Sequence, residues 1–256
     1  MKRALSLFRD LLNFLPGSAP TQWEAPRSTN GSVPVFVIVA GFQAQERPLS
    51  VIRKRFLKDG FNVVVISMDW LSLSDGIIGL AHMAKRLSGV LLHLRKTTGM
   101  RSQVYLVGHS AGGLIARYYV QLLGGSHYCD ALVTLGTPHH GTWIALLGFF
   151  SHLIVKGRCL FQLLPISPFI RRLNRAAFPS DFPVVSMFSR DDFFCSHDEL
   201  AAGRVDNVEL GRLSHSDFLL SKRAYRELLR RLDIRPINAA LSKDALGAKE
   251  NPPLPA

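Results

Sequence analysis

The chain has 256 residues, 47% of them hydrophobic and 20% charged, which suffices for one well-buried α/β domain and gives no reason for a second. It contains no internal repeat and no run near the roughly 20 apolar residues that cross a bilayer, which excludes a solenoid and argues against a membrane-spanning helix. A formal net charge of +12 favours anionic partners, but Arg53-Lys54-Arg55, Arg171-Arg172, Lys222-Arg223 and Arg230-Arg231 lie in no recognisable nucleic-acid module, so peripheral contact with anionic lipid is expected and nucleic acid is not.

Residues 1–32 read as a leading helix and a linker. Lys2-Arg3 before an apolar stretch resembles a signal peptide, yet Arg9-Asp10 breaks it early. Leu5, Phe8, Leu11, Leu12 and Leu15 fall instead at helical spacing, the pattern of an amphipathic helix docked on the domain or laid on a membrane surface. Residues 33–236 then form the domain. Strands are expected at Val35 to Ala40, Val63 to Ser67, Val104 to Val107, Ala131 to Leu135 and Val184 to Phe188, with a weaker one at Val205 to Leu210. Their runs are continuous rather than alternating, which marks strands buried on both faces of a parallel sheet. Helical periodicity appears at Leu49 to Lys58, Ile77 to Lys96, Gly113 to Leu123 and Phe218 to Leu232. The fold class is therefore α/β: a mostly parallel, doubly wound sheet whose site lies beyond the carboxyl ends of its strands.

One connection is much longer than a packing helix requires. Residues 139–182, including the apolar Trp143, Leu146, Phe149 and Phe150, are expected to form a helical cap or lid that lines an apolar substrate pocket. Residues 237–256 are polar or proline-rich and are expected to be a disordered tail. Cys129, Cys159 and Cys195 are too scattered for a disulfide framework or a zinc site, so the reducing cytoplasm is the expected compartment and no metal or cofactor is implied.

The chemistry centres on Ser110. It stands in Gly108-His109-Ser110-Ala111-Gly112-Gly113, directly between a buried strand and a helix. Gly-x-Ser-x-Gly at that junction is a nucleophile elbow. Gly108 and Gly112 let strand and helix approach while the serine takes a strained conformation that lifts its hydroxyl off the sheet. Such a serine needs an imidazole to take its proton and a carboxylate to orient the imidazole, and both should follow it in the chain. Asp191 and Asp192 leave the end of the Val184 to Phe188 strand, and either qualifies by position. His215 precedes the closing helix and is the expected base. His109 should point to another side by strand alternation. His139 and His140 stand at the end of a central strand, where they are candidates to line the site, but they precede the acid and have the wrong place for the base. Backbone amides of Ala111 and of Phe42, in the turn after the first strand, are the expected oxyanion donors.

Taken together, Leu106 to Gly113, the segment Leu135-Gly136-Thr137-Pro138-His139-His140-Gly141-Thr142, and Leu164 to Phe169 make the chain resemble the bacterial triacylglycerol lipase/esterase group of the α/β-hydrolase superfamily. The resemblance spans roughly Val35 to Leu232. It implies an α/β-hydrolase fold and favours Asp192, with Phe193 and Cys195 departing from the usual residues after the acid. Ala40 stands where the group commonly has a histidine, while Phe42 keeps the donor position. The implied activity is a serine carboxylester hydrolase cleaving acyl esters of lipids. A thioesterase or acyltransferase would use the same residues, and a non-catalytic lipid-binding homologue would keep the scaffold alone.

Overall fold

Strands rich in valine, isoleucine and leucine pair into one sheet because each has two apolar faces to cover. The computed structural model describes residues 33–41, 46–66, 79–98, 102–145, 157–195, 199–200 and 204–238. Its strands are β1 (Val35–Val39), β2 (Asn62–Ile66), β3 (Val104–His109), β4 (Ala131–Leu135), β5 (Val184–Phe188) and β6 (Val205–Glu209). They form a six-stranded sheet in the order β2-β1-β3-β4-β5-β6, with every pairing parallel. Val39 lies opposite Gly108, His109 opposite Leu135, and Leu135 opposite Met187. The ends of these strands are thus level, and the turns that follow them share one edge.

Alternate residues of each strand feed two cores. Val35, Val37, Val39, Leu106 and Leu132 pack on one face with α2 (Leu80–Thr98), α3 (Ala111–Leu122) and α5 (Pro168–Arg175). Phe36, Ile38, Val107, Val133 and Met187 pack on the other with α1 (Glu46–Lys58), α6 (Asp217–Leu220) and α7 (Lys222–Arg231). The sheet is doubly wound, as its continuous apolar runs require. β6 is an edge strand, and its Asp206 accepts both oxygens' worth of bonds from Arg231, at 2.6 and 2.7 Å. Charge on an edge strand discourages pairing with another chain.

The expected single helix over Phe218 to Leu232 is two. Ser221 takes an extended conformation between α6 and α7, and its hydroxyl accepts from the amides of Arg223 and Ala224 at 3.1 and 3.2 Å. A serine that caps the following helix interrupts the preceding one. In the long connection, α4 (Gly157–Gln162) and α5 are present, and Ser167 caps α5 by accepting from the Ile170 amide at 3.2 Å. Leu163, Leu164, Phe169, Ile170 and Leu173 are buried in the α3 core, and the rings of Phe169 and Tyr118 stack at 5.5 Å. This half of the connection is thus clamped to α3. The Gln162 side chain accepts from the Leu80 amide at 2.6 Å and so caps α2 as well.

The chain beyond residue 236 remains docked for two residues, since the Ile237 amide donates to the Asp59 carbonyl at 2.9 Å and the Asn238 side chain to the Lys58 carbonyl at 2.6 Å. The expected leading helix and linker over 1–32 and the tail from 239 lie outside the described residues. No described helix is long and apolar enough to cross a membrane.

Candidate active site

β3 ends in His109, and α3 begins at Ala111, so Ser110 alone makes the turn. Its backbone sits at φ 55°, ψ −131°, and it is one of two described non-glycine residues with positive φ. A β-carbon resists that region, so strain of about 1–3 kcal/mol is held there by the surrounding packing. Two contacts hold it: the Ser110 amide donates to the Leu135 carbonyl at 3.0 Å, and the Gly113 amide donates back to the Ser110 carbonyl at 3.0 Å. Neighbouring backbone closes in from β1. A β-carbon on Gly41 would lie 2.6 Å from the Ser110 β-carbon and 3.1 Å from its hydroxyl oxygen, so only glycine lets this turn lie against the serine. Ala111 opens α3, where the first amides have no intrahelical acceptor.

Of the two candidate acids, Asp192 is the one joined to His215. Asp192 is fully buried, and its Oδ2 lies 2.9 Å from Nδ1 of His215, whose side chain is 12% exposed. Its Oδ1 accepts from the amides of Phe194 and Cys195 at 2.9 and 3.3 Å. The carboxylate is thereby held in one orientation, with one oxygen for the loop and one for the imidazole. A carboxylate accepts only, so the ionised acid fixes the proton on Nδ1 and leaves Nε2 with its lone pair.

Two devices position this pair. Ser214 donates through its hydroxyl and its amide to Asp217 Oδ2, at 2.8 and 3.1 Å, so the turn carrying His215 closes on itself. Ser189 donates to the Gly211 carbonyl and accepts from the Leu213 and Asp191 amides at 3.1 and 3.2 Å, tying the Asp192 loop to the His215 loop. Neither Ser189 nor Ser214 was expected from the sequence, since a serine near a strand end carries no distinguishing pattern.

His109 is also closer than expected. It lies buried against His215, with ring centroids 4.8 Å apart and its Nε2–H donating to the His215 carbonyl at 3.0 Å. Alternation along β3 does hold, placing His109 on the same face as Val107. What the strand pattern omits is that the 211–217 loop descends onto that face on its way into α6. Burial, aided by the neighbouring His215, pushes the His109 imidazole down to about 3, so it is a neutral donor. Phe194 packs near the His215 ring too, at 5.0 Å.

His139 and His140 part company. His139 is buried, and Arg117 Nη1 donates to its Nδ1 at 3.2 Å. Its Nε2–H therefore points to the Thr134 and Ser186 hydroxyls, each at 3.1 Å. Burial and the Arg117 charge hold its imidazole well below the usual range. Arg117, with no exposed surface, also donates to the Leu173 carbonyl at 3.3 Å and to Asn174 Oδ1 at 3.1 Å. His139 thus belongs to an interior network that joins α3, β4, β5 and α5. His140 is exposed, with Nε2 2.9 Å from the Glu199 carbonyl oxygen.

Among the described residues one His/Cys/Asp group has metal-ligand spacing: Asp192, Cys195 and His215, with ligand atoms all within 4.8 Å of one another. A cation there would have to displace the proton between Asp192 and His215. Of the residues expected to line a substrate pocket, Trp143 is an exposed large hydrophobic at 56%. Leu146, Phe149 and Phe150, and the expected oxyanion donor Phe42, lie outside the described residues.

The comparisons agree with this frame. The family model described as palmitoyl protein thioesterase matches residues 34–156, the stretch from β1 through the elbow into the long connection. The mature lipase BlEst2 of Bacillus licheniformis superposes with a TM-score of 0.63 at 15% identity, over 84% of this chain and 99% of that one. Est1E of Butyrivibrio proteoclasticus, with ferulic acid bound, gives 0.58 at 14% identity, over 82% and 94%. The esterase PF2001 of Pyrococcus furiosus gives 0.59 at 12% identity, over 85% and 96%. No curated protein sequence matches. The chain has the α/β-hydrolase fold that the resemblance of its three segments implied.

Proposed function

We propose that the chain is a serine carboxylester hydrolase of lipase/esterase type, cleaving acyl esters of lipids through an acyl-enzyme on Ser110. The observation that carries this reading is the 2.9 Å bond between buried Asp192 and His215, set on the same sheet edge as a serine held at φ 55° at the head of α3. Ser110 attacks the ester carbonyl while its proton passes to His215 Nε2. The amides of Ala111 and Phe42 receive the oxyanion. His215 returns the proton to the departing alcohol, leaving the acyl group on Ser110. Water then adds to that acyl carbon, giving its proton to His215, and the carboxylic acid leaves as Ser110 regains its hydrogen. Asp192 keeps His215 in the productive tautomer and stabilises its cation. Trp143, Leu146, Phe149 and Phe150 receive the acyl chain. The reading calls for no metal or cofactor, places the protein in the cytoplasm, and gives it a peripheral contact with anionic membrane through its basic surface.

A second reading shares the acyl-enzyme and differs in the leaving group. The match to the palmitoyl protein thioesterase model favours a thiol in place of the alcohol. Both are tested together with a fluorophosphonate probe and paired palmitoyl substrates, a p-nitrophenyl ester and a thioester. We expect the probe to label Ser110, and Ser110→Ala or His215→Ala to lower turnover on the order of 10⁴-fold or more. Faster release from the thioester would select the second reading. A folded wild-type protein that neither takes the probe nor turns over either substrate would leave only the non-catalytic homologue.

A further inference from the structure

The face opposite α2 and α3 carries a cavity of about 650 Å³ between α1 and α7, lined by residues of both helices and by Asp233 to Pro236. Six cations line it, Arg55, Lys58, Lys222, Arg226, Arg230 and Arg235, against two carboxylates, Asp59 and Asp233. Asp59 is engaged by the Tyr225 hydroxyl at 2.8 Å. The lining also includes the Tyr225 ring, Leu229, Ile234 and Pro236.

Some of this charge has a structural use. Arg55 donates to the Leu219 and Leu220 carbonyls and so closes α6, and Arg230 pairs with Glu227 at 2.6 Å. Both also lie in the last turn of their helices, where a cation suits the dipole. Lys58, Lys222, Arg226 and Arg235 are different. All four are exposed, and none makes an ion pair with a carboxylate among the described residues. Four cations with no carboxylate partner among the described residues converge on one concavity and repel one another, a cost that a bound anion removes.

The cavity is not part of the candidate active site. Lys58 and Asp59 precede β2, and Asp233 to Pro236 follow α7, so these residues lie toward the amino ends of the parallel strands, while Ser110 and Asp192 follow the carboxyl ends of β3 and β5. We propose that this groove is a second binding site, for a phosphate-bearing ligand whose apolar part rests on Tyr225, Leu229 and Ile234. The phosphate can belong to an anionic lipid headgroup or to a soluble polyphosphate. The inference rests on the charge and shape of this face and stands independently of the ester-hydrolase reading.

The test must separate a built site from the general charge of +12. The groove variant Lys222→Glu/Arg226→Glu/Arg235→Glu is compared with the control Lys85→Glu/Lys96→Glu/Arg204→Glu, which alters the same number of exposed cations elsewhere. Two probes are used with the full chain: inorganic pyrophosphate by calorimetry, and vesicles of phosphatidylcholine with or without about 30% phosphatidylglycerol by flotation at about 0.15 M salt. Thermal melts confirm that each variant folds, and the milder Arg226→Gln serves if the triple variant does not. We expect wild type and control to bind at least one probe, and the groove variant to bind it about tenfold more weakly or worse. Loss confined to pyrophosphate identifies a soluble ligand, and loss confined to anionic vesicles identifies a headgroup. Equal weakening of groove variant and control, or binding of neither probe by the wild type, would overturn the proposal.

Discussion

Gly41 shows how little room the candidate nucleophile has. A methyl group there meets the Ser110 β-carbon, its hydroxyl and the His109 carbonyl, all at 3.1 Å or less. Two of those three neighbours are backbone or backbone-anchored atoms, so the serine cannot swing aside cheaply. Gly41→Ala should therefore cut ester turnover by about a hundredfold or more while leaving most of the fold's stability, because a displacement near 1 Å at a reacting atom costs that much. Steady-state rates beside a thermal melt would check it, and near-normal kcat in a folded variant would contradict the site's geometry. At this scale Ser110, His215 and the Asp191/Asp192 pair were legible because each follows or precedes a recognisable element. The resemblance already favoured Asp192, whose bond to His215 only the structure shows, and the part played by His109 came from a loop that arrives on its face.

At the scale of elements, the decisive join is between α3 and the long connection. Arg117 projects from the middle of α3 into the interior and spends its donors on the His139 ring, the Leu173 carbonyl and Asn174. Breaking such a buried, hydrogen-bonded charge leaves its acceptors without donors. Arg117→Leu should lower stability by about 3 kcal/mol and loosen α5 from α3, which amide hydrogen exchange over 168–175 would report as lost protection. Unchanged protection there would mean that Phe169 stacked on Tyr118 and the buried Leu173 hold α5 by themselves. The amphipathic pattern of α3 predicted its helix but gave no hint of this. A helical arginine reads as surface charge until a partner from a distant segment encloses it, which is why the pairing of Arg117 with His139 was missed.

Over the whole molecule, two buried histidines make stability depend on pH. Burial holds His109 at about 3 and, with Arg117, keeps His139 well below its usual value, so both stay neutral in the fold. In the unfolded chain each takes up a proton below about pH 6.5. The unfolded state therefore binds protons that the native state refuses. This contribution to stability is complete above about pH 6.5 and is lost as the pH falls toward 3. For His109 alone the loss reaches about 2 kcal/mol by about pH 5. Denaturant midpoints measured from pH 7 to 5 should fall accordingly, and His109→Gln, which can still donate to the His215 carbonyl, should make the fall shallower. An identical slope in wild type and variant would show that His109 is protonated in the fold.

What pattern and spacing settled were the parallel sheet, its strand segments and the turn at Ser110 between strand and helix. These follow from local physics: continuous apolar runs must be buried on both faces, and a serine between two glycines at a strand end must turn there. The break at Ser221, the docking of Ile237 on Asp59, the bond between Asp192 and His215, the neutrality of His109 and the basic groove between α1 and α7 came only with the packed molecule. Each depends on which distant segments meet, and burial, hydrogen-bond partners and charge density are properties of that meeting rather than of any stretch of chain.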